Sequence, residues 1–562
     1  MESSSPAYSV PAEAKHLLLN GILANPLMPR WPPELGSVAS LVTFEGNQLP
    51  SIPVNWRWAE SMAALKALEA SMVNVLLARK YGIEPVEIEI DTDHASLCVF
   101  STALATITSR HQHAKYPFDV SRPPEPLQRI LATGIYPTRD QRFYHIHGSL
   151  NADVTLQTLG LSLQGQEGDC FEQVVQRIQA QVSRHDAAAL DHLMNEEKRQ
   201  AGTVALTSDE YFASPHGQQS AKCGLYELHR HAASVQPPSW WPDNASLPSS
   251  PRRPLAGLKV VDLTRVIAGP TITKSLAELG ASIMRVTSPL VPDFESVFPD
   301  LAWGKWNCHL HLANHAHCQR LRRLILDADV LVDGYRPGVM DRLGFGRQAV
   351  FDLVRHRPRG IIHVRENCYG WHGHWSNRSG WQGISDACCG VSLAYGRAMG
   401  VDEPVTPPFP NSDSCTGTIG AAAIVHALLQ RAEDGGSYGV DAALNYYSQW
   451  LVRSCGTYPP DVWHEVWTRH ESPVFHAHDN TRRTVPAMKL LLQQHDSNVL
   501  LQPRFFHECF SEPVGVTVRK VKPVARYGHG VVELAYNVGA RANGVDDARW
   551  PDDLTVAVVA EL

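Results

Sequence analysis

The chain opens Met1-Glu2-Ser3-Ser4-Ser5-Pro6, without the basic and apolar regions of a secretory leader, so none is expected. No uninterrupted apolar run approaches the ~18 residues of a membrane helix. The 11 cysteines include no Cys-x-x-Cys pair, and only Cys388 and Cys389 adjoin. That pattern predicts reduced thiols rather than a disulfide framework. A formal net charge of −7 gives no basic footprint for nucleic acid or an acidic membrane surface. The turn after the first clear strand is not Gly-x-Gly-x-x-Gly, and no Walker loop is present, which argues against dinucleotide cofactors and ATP hydrolysis. What is there is a hydrophobic fraction of 44% spread over 562 residues, enough for a sizeable core and two or more domains. A cytoplasmic protein is expected.

A proline- and serine-rich stretch, residues 236–254, has neither helical nor strand period and reads as a linker. Beyond it, strand and helix patterns alternate. Leu258–Leu263, Ser282–Val286, Val330–Val332 and Ile361–Val364 read as strands, and Thr271–Leu279 and Leu321–Ala328 as helices. Gly280 is placed to end the first helix. Alternation of this kind predicts an α/β fold, with a Rossmann-like parallel sheet and a smaller α+β domain. Before the linker, residues 56–80 have helical periodicity with one face to bury. Val86–Asp91 alternates as a strand, and Val531–Leu534 has strand-like sequence.

The segment Pro410-Asn411-Ser412-Asp413-Ser414-Cys415-Thr416-Gly417 puts one carboxylate at the mouth of an Ala-rich helix. Free amide N–H groups and the helix dipole favour its ionised form. The small residues that follow leave room for a bulky partner, and an ionised carboxylate there can attack an activated acyl group. Asp at that place is also a common helix N-cap. Cys415 is a candidate reactive thiol or a small buried filler. His309, His311, His315, His317 and Cys318 offer N and S donors, but no flanking Cys/His set completes a tetrahedron, so no metal is expected.

Several of these segments resemble the class III CoA-transferase family, which includes formyl-CoA and carnitine CoA-transferases and α-methylacyl-CoA racemase. The resemblance rests on Pro254–Arg265, Ala268-Gly269-Pro270, Ala328–Val339, Leu343-Gly344-Phe345-Gly346 and Tyr369–Gly373, in the family's order over residues 254–450. Asp413 lies where that family keeps its catalytic aspartate. The resemblance implies transfer of coenzyme A from an acyl-CoA thioester to a small carboxylic acid. It implies a covalent intermediate on Asp413 and no permanently bound cofactor. Val266 and Ile267 would line the nucleotide cleft, with Arg285, Lys305, Tyr335, Arg336 and Arg342 as CoA contacts. Ile267 stands where characterised members often have glutamine, and cations expected near Ser288 and Ala313 are missing. Racemases of the family carry a histidine in a Gly-His-Asp motif, and the aligned segment here is Gly380-Trp381-Gln382, without a titratable group. An acyl-CoA racemase or epimerase and a non-catalytic CoA binder remain as alternative readings.

Residues 54–235 resemble the back part of a second, degenerate family copy, with Phe143–Gly148 similar to the start of its small domain. His145 and His147 in that match are expected to be structural. The implied organisation is a degenerate copy over 1–235, the linker 236–254, a CoA-binding catalytic domain over 255–450 and a C-terminal return segment over 451–562. Such a chain would work as a pseudo-dimeric monomer or a homodimer.

Overall fold

The computed structural model describes residues 8–110 and 125–560. Its central sheet has seven strands: β1 (Tyr226–Arg230), β2 (Lys259–Leu263), β3 (Ser282–Thr287), β4 (Lys305–His309), β5 (Val330–Asp333), β6 (Ile362–Asn367) and β7 (Tyr438–Ala443). They lie in the order β4-β3-β2-β5-β6-β7-β1. Strands β2 to β7 are parallel to their neighbours, and β1 closes one edge antiparallel to β7. Counted from β2, this is the doubly wound nucleotide-binding order. Parallel strands covered on both faces carry near-continuous apolar runs, and Val260, Val261, Ile283, Met284, Leu331 and Ile362 are all buried. The α/β reading holds. One strand of the sheet, β1, comes from before the expected linker. Residues 236–254 contain no helix or regular strand, yet they are packed. Trp241 is buried and its indole N–H donates to the Ala256 carbonyl at 2.7 Å.

Five helices matter for the site: α1 (Trp58–Tyr81), α2 (Ala268–Glu278), α3 (Gln382–Cys388), α4 (Asn411–Asp434) and α5 (Thr481–His495). The expectation of a single buried face for residues 56–80 is corrected. Twenty consecutive residues of α1, Trp58 to Leu77, are buried on every side, as befits a helix in the middle of a large core. No uninterrupted apolar run is present in α1, which carries Glu60, Lys66 and Glu69. The 24 residues of α1 are long and apolar enough by length and composition to cross a membrane, but 94% of the qualifying window lies inside the molecule. Helix α4 packs against both α1 and α2. A Cβ on Gly417 would come within 2.4 Å of the Thr271 side chain, and one on Gly420 within 2.6 Å of Ile272. The small residues after Asp413 therefore make room for a neighbouring helix, not for a ligand.

The two ends of the chain pair with each other. Thr106–Arg110 is antiparallel to Val516–Val521, and Arg526–Tyr527 to Ile88–Asp91. Val531–Leu534 forms no strand. It runs as irregular chain tied by backbone hydrogen bonds from Glu533 to Arg252 and from Ala535 to Glu278. A separate small sheet of Gly134–Pro137, Phe143–Ile146 and Gly202–Val204 forms the smaller α+β unit, with helices such as Phe171–Val182 against it.

Candidate active site

Ligands of doubly wound sheets bind beyond the carboxyl ends of the strands, where strand order reverses. Here that point lies between β2 and β5, and two adjoining cavities of about 520 Å³ and 340 Å³ open there. Both are lined by Ser149, Leu150, Val266, Ile267, Trp381 and Asp413. The turn leaving β2 is held from below. The buried Asp262 carboxylate accepts from the Thr264 amide and hydroxyl at 3.0 and 2.5 Å and from the Thr273 hydroxyl at 2.5 Å. Val266, a β-branched residue, is thereby kept at φ 70°, a left-handed conformation costly for its type and found mainly where surroundings over-determine it at functional sites.

Asp413 sits in the first turn of α4, and Pro410 holds the cap position with no side-chain cap bond, so the N-cap reading does not apply. Nor does the expected preference for the ionised form. Burial pushes the Asp413 carboxyl up to about 7, outweighing the helix dipole. Two further carboxyls stand near it. Glu366 lines the smaller cavity and is pushed up to about 8, first by burial and then by Asp413 and Asp333. Asp386, on α3, is held well above the carboxylate range by burial with a contribution from Asp413, against a hydrogen bond from Gln382. Cys415 is buried and its thiol is pushed up to about 12, which leaves no thiolate to react.

The structure separates the residues that the sequence put together as CoA contacts. Val266, Ile267, Tyr335 and Arg336 line the smaller cavity with Asp413. Arg285 and Lys305 do not, because both are buried and engaged. Arg285 pairs with Asp293 at 2.7 Å and lies over the Phe298 ring. Lys305 bonds the Asp262 carboxylate at 3.3 Å and the Pro270 carbonyl at 2.8 Å, so it braces the β2 turn. Arg342 is exposed and lines neither cavity. Arg265, which the sequence reading did not select, lines the smaller cavity and stacks its guanidinium over Tyr335. Arg336 donates to the Arg199 carbonyl at 3.2 Å. Its own pKa is lowered by burial and then by Arg265 and Arg199. Among the described residues neither Arg265 nor Arg336 has a carboxylate partner, whereas Arg378 in the same wall is paired with Asp191 and Glu196.

The larger cavity takes its walls from both halves of the chain, with residues 102–103 and 125–152 facing residues 266–486. Trp381 donates to the Ser149 hydroxyl at 3.1 Å and stacks on His147 at 5.1 Å between ring centroids, with His145 stacked behind. Burial lowers both histidines, His145 to about 4, and holds them neutral. The segment aligned with the racemase histidine thus contributes an indole wall.

The histidines between 309 and 317 do not gather into a donor set. His317 accepts from the His311 amide, and the Cys318 thiol donates to the Leu312 carbonyl. Among the described residues, Cys223, Glu227 and His372 do lie within 4.8 Å of one another. Glu227 there already bonds the Tyr446 hydroxyl and His372, each at 2.8 Å.

The family model of CoA-transferase family III matches residues 255–470. An acetyl-coenzyme A transferase, nodX, from Hypoxylon pulicicidum is 54% identical over 573 aligned positions, covering 100% of this chain and 96% of that one. An acyl-CoA transferase from Gibberella moniliformis is 31% identical over 507, covering 87% of each. The crystal structure of a hypothetical protein, Rv3272, from Mycobacterium tuberculosis overlaps 35% of this chain and 57% of its own, with 28% identity and a TM-score of 0.32, too partial to bear on the fold. The sequence likeness runs through the stretches before and after the matched block as well as through the block itself. The chain belongs to CoA-transferase family III and is a CoA transferase.

Proposed function

We propose that the chain moves coenzyme A from acetyl-CoA to a carboxylic acid through covalent intermediates on Asp413. The observation that carries this reading is the position of Asp413, whose carboxyl is shared by a cavity bordered by unpaired arginines and a larger cavity without them. Acetyl-CoA as donor follows the name of the relative that aligns along the full chain. The phosphates of CoA meet Arg265 and Arg336, which line this cavity and supply charge-assisted hydrogen bonds, and these replace the cations missing near Ser288 and Ala313.

The Asp413 carboxylate attacks the thioester carbonyl, the C–S bond breaks, and the CoA thiolate leaves a mixed anhydride. The thiolate then attacks the aspartyl carbonyl and expels acetate, leaving an aspartyl-CoA thioester. The acceptor carboxylate attacks that thioester to form a second anhydride. The returning thiolate takes the acceptor acyl group and frees Asp413. Each step exchanges one acyl bond for another, so no net proton is needed. Ionisation of Asp413 is the entry condition. Burial pushes both Asp413 and Glu366 towards their neutral forms, and as a coupled pair they ionise one at a time, which avoids two adjacent buried charges. Enclosure by Trp381, Ile267 and Phe409 protects the anhydrides from water.

The test is intact-mass analysis after incubation with acetyl-CoA, with and without hydroxylamine. A CoA adduct or a hydroxamate that maps to Asp413 and is missing in Asp413→Ala is expected. CoA transfer that persists in Asp413→Ala would overturn the reading.

A further inference from the structure

The larger cavity says what the acid is. Resting on the assignment of the smaller cavity to CoA, we propose that the acceptor is a monocarboxylic acid with a bulky apolar body rather than a short dicarboxylic acid. A volume of about 520 Å³ falls in the range of pockets that enclose drug-sized ligands. Its walls include Ile130, Leu150, Val297, Phe409 and Val485, with the Trp381 indole beside Asp413, so an apolar body gains by leaving water.

Among the described residues, the charged side chains of this cavity other than Asp413, and the Asn480 amide, are already engaged. Arg129 bonds Asp153 at 2.6 Å and Asn151 at 3.0 Å. Arg482 bonds Glu125 at 3.1 Å, and Glu125 itself lines the cavity. Asn480 donates to the Ile130 and Thr133 carbonyls and accepts from the Arg482 amide. The histidines beside Trp381 are neutral. The carboxylate of a monoacid reacts at Asp413 and needs no second partner. A dicarboxylate would carry its other charge to the far wall, where it would find paired arginines and Glu125. Arg482 and Glu125 are partly exposed and already paired, so a second carboxylate gains little there, whereas an apolar body gains by burial. The two cavities thus divide the work, with charge recognised on the CoA side and apolar shape on the acid side.

The experiment uses the full chain, acetyl-CoA, and four acids: decanoate, 2-naphthoate, glutarate and succinate. CoA esters are quantified by mass spectrometry, and binding of each acid is measured by titration calorimetry. The expected result is a kcat/KM for decanoate or 2-naphthoate roughly 100-fold or more above that for glutarate, with the same order in binding. Val485→Arg on the half-exposed face of α5 should narrow that ratio by adding an unpaired cation. Glu125→Gln, a conservative change, should narrow it by freeing Arg482. Turnover of glutarate or succinate equal to or above that of the apolar acids would overturn the inference and leave the CoA-transfer reading intact. If no acid is converted, the covalent reading fails, and calorimetry still decides the inference. Tighter binding of the apolar acids supports it, and equal or tighter glutarate binding, or no binding of any acid, overturns it.

Discussion

Arginines stand in both cavities that meet at Asp413, and they differ in one respect. In the larger cavity Arg129 and Arg482 are tied to Asp153 and Glu125. In the smaller one Arg265 and Arg336 have no carboxylate partner among the described residues and are held near each other and Arg199. Neighbouring like charges that raise each other's energy call for an anion, and pairs that are already neutralised do not. The presence of arginine therefore says little about where a phosphate goes. Its unanswered charge says more.

The largest effect expected is from removing the group between the cavities. Asp413→Ala should lower CoA transfer roughly 10³-fold or more in steady-state assays, with unchanged circular dichroism. Next comes the contrast between the two sets of arginines. Arg336→Ala or Arg265→Ala should raise KM for acetyl-CoA roughly tenfold to a hundredfold, steeply with ionic strength, whereas Arg129→Ala should leave that KM within about twofold. If Arg129→Ala and Arg336→Ala weaken acetyl-CoA equally, the comparison fails.

Acidity gives a smaller, graded test. The rate of adduct formation should rise with pH through about 7, the value to which burial pushes Asp413. Stability should move the other way. A carboxyl whose folded pKa is raised contributes stability that is complete below the unfolded value near 4 and is lost as pH rises through about 7. Asp413→Asn should therefore raise Tm more at pH 8 than at pH 5 by calorimetry. Smallest of all, Arg342→Ala should change neither KM nor Tm measurably, because its exposed side chain lines neither cavity. Arg285→Ala should lower Tm with little change in KM, since it removes the cation from a buried ion pair with Asp293.

Much of the sheet was legible because buried parallel strands are written as apolar runs between helix patterns, as in Lys259–Leu263 and Val330–Asp333. The edge strand Tyr226–Arg230 was not. It grades from the buried Tyr226 to the exposed His229 and Arg230, without alternation, and pairs with a strand some two hundred positions later, which no local pattern encodes. Helix Trp58–Tyr81 was legible as a helix but not as a core helix, because Glu60, Lys66 and Glu69 are charged residues of the kind usually exposed, and here they lie buried. At the site, Asp413, Val266, Ile267, Tyr335 and Arg336 could be found from motif position. Arg285 and Lys305 looked equally suitable, and only their partners Asp293 and Asp262, set by the fold, remove them. Arg199 and Glu366 come from segments without a motif of their own. Arg265 was in plain view within Asp262-Leu263-Thr264-Arg265, where a basic residue after a buried strand could have been selected.

The most direct test of the central claim is the fate of the acceptor's oxygen. During turnover with acetyl-CoA and an acceptor acid carrying oxygen-18 in its carboxylate, the second anhydride leaves one acceptor oxygen on the enzyme. Peptide mass spectrometry should then find the label in the Asp413 carboxyl, with label also leaving in acetate on later turnovers. Product formation with no label in the Asp413 peptide would contradict the account, because the acid would have received CoA without bonding to that carboxyl.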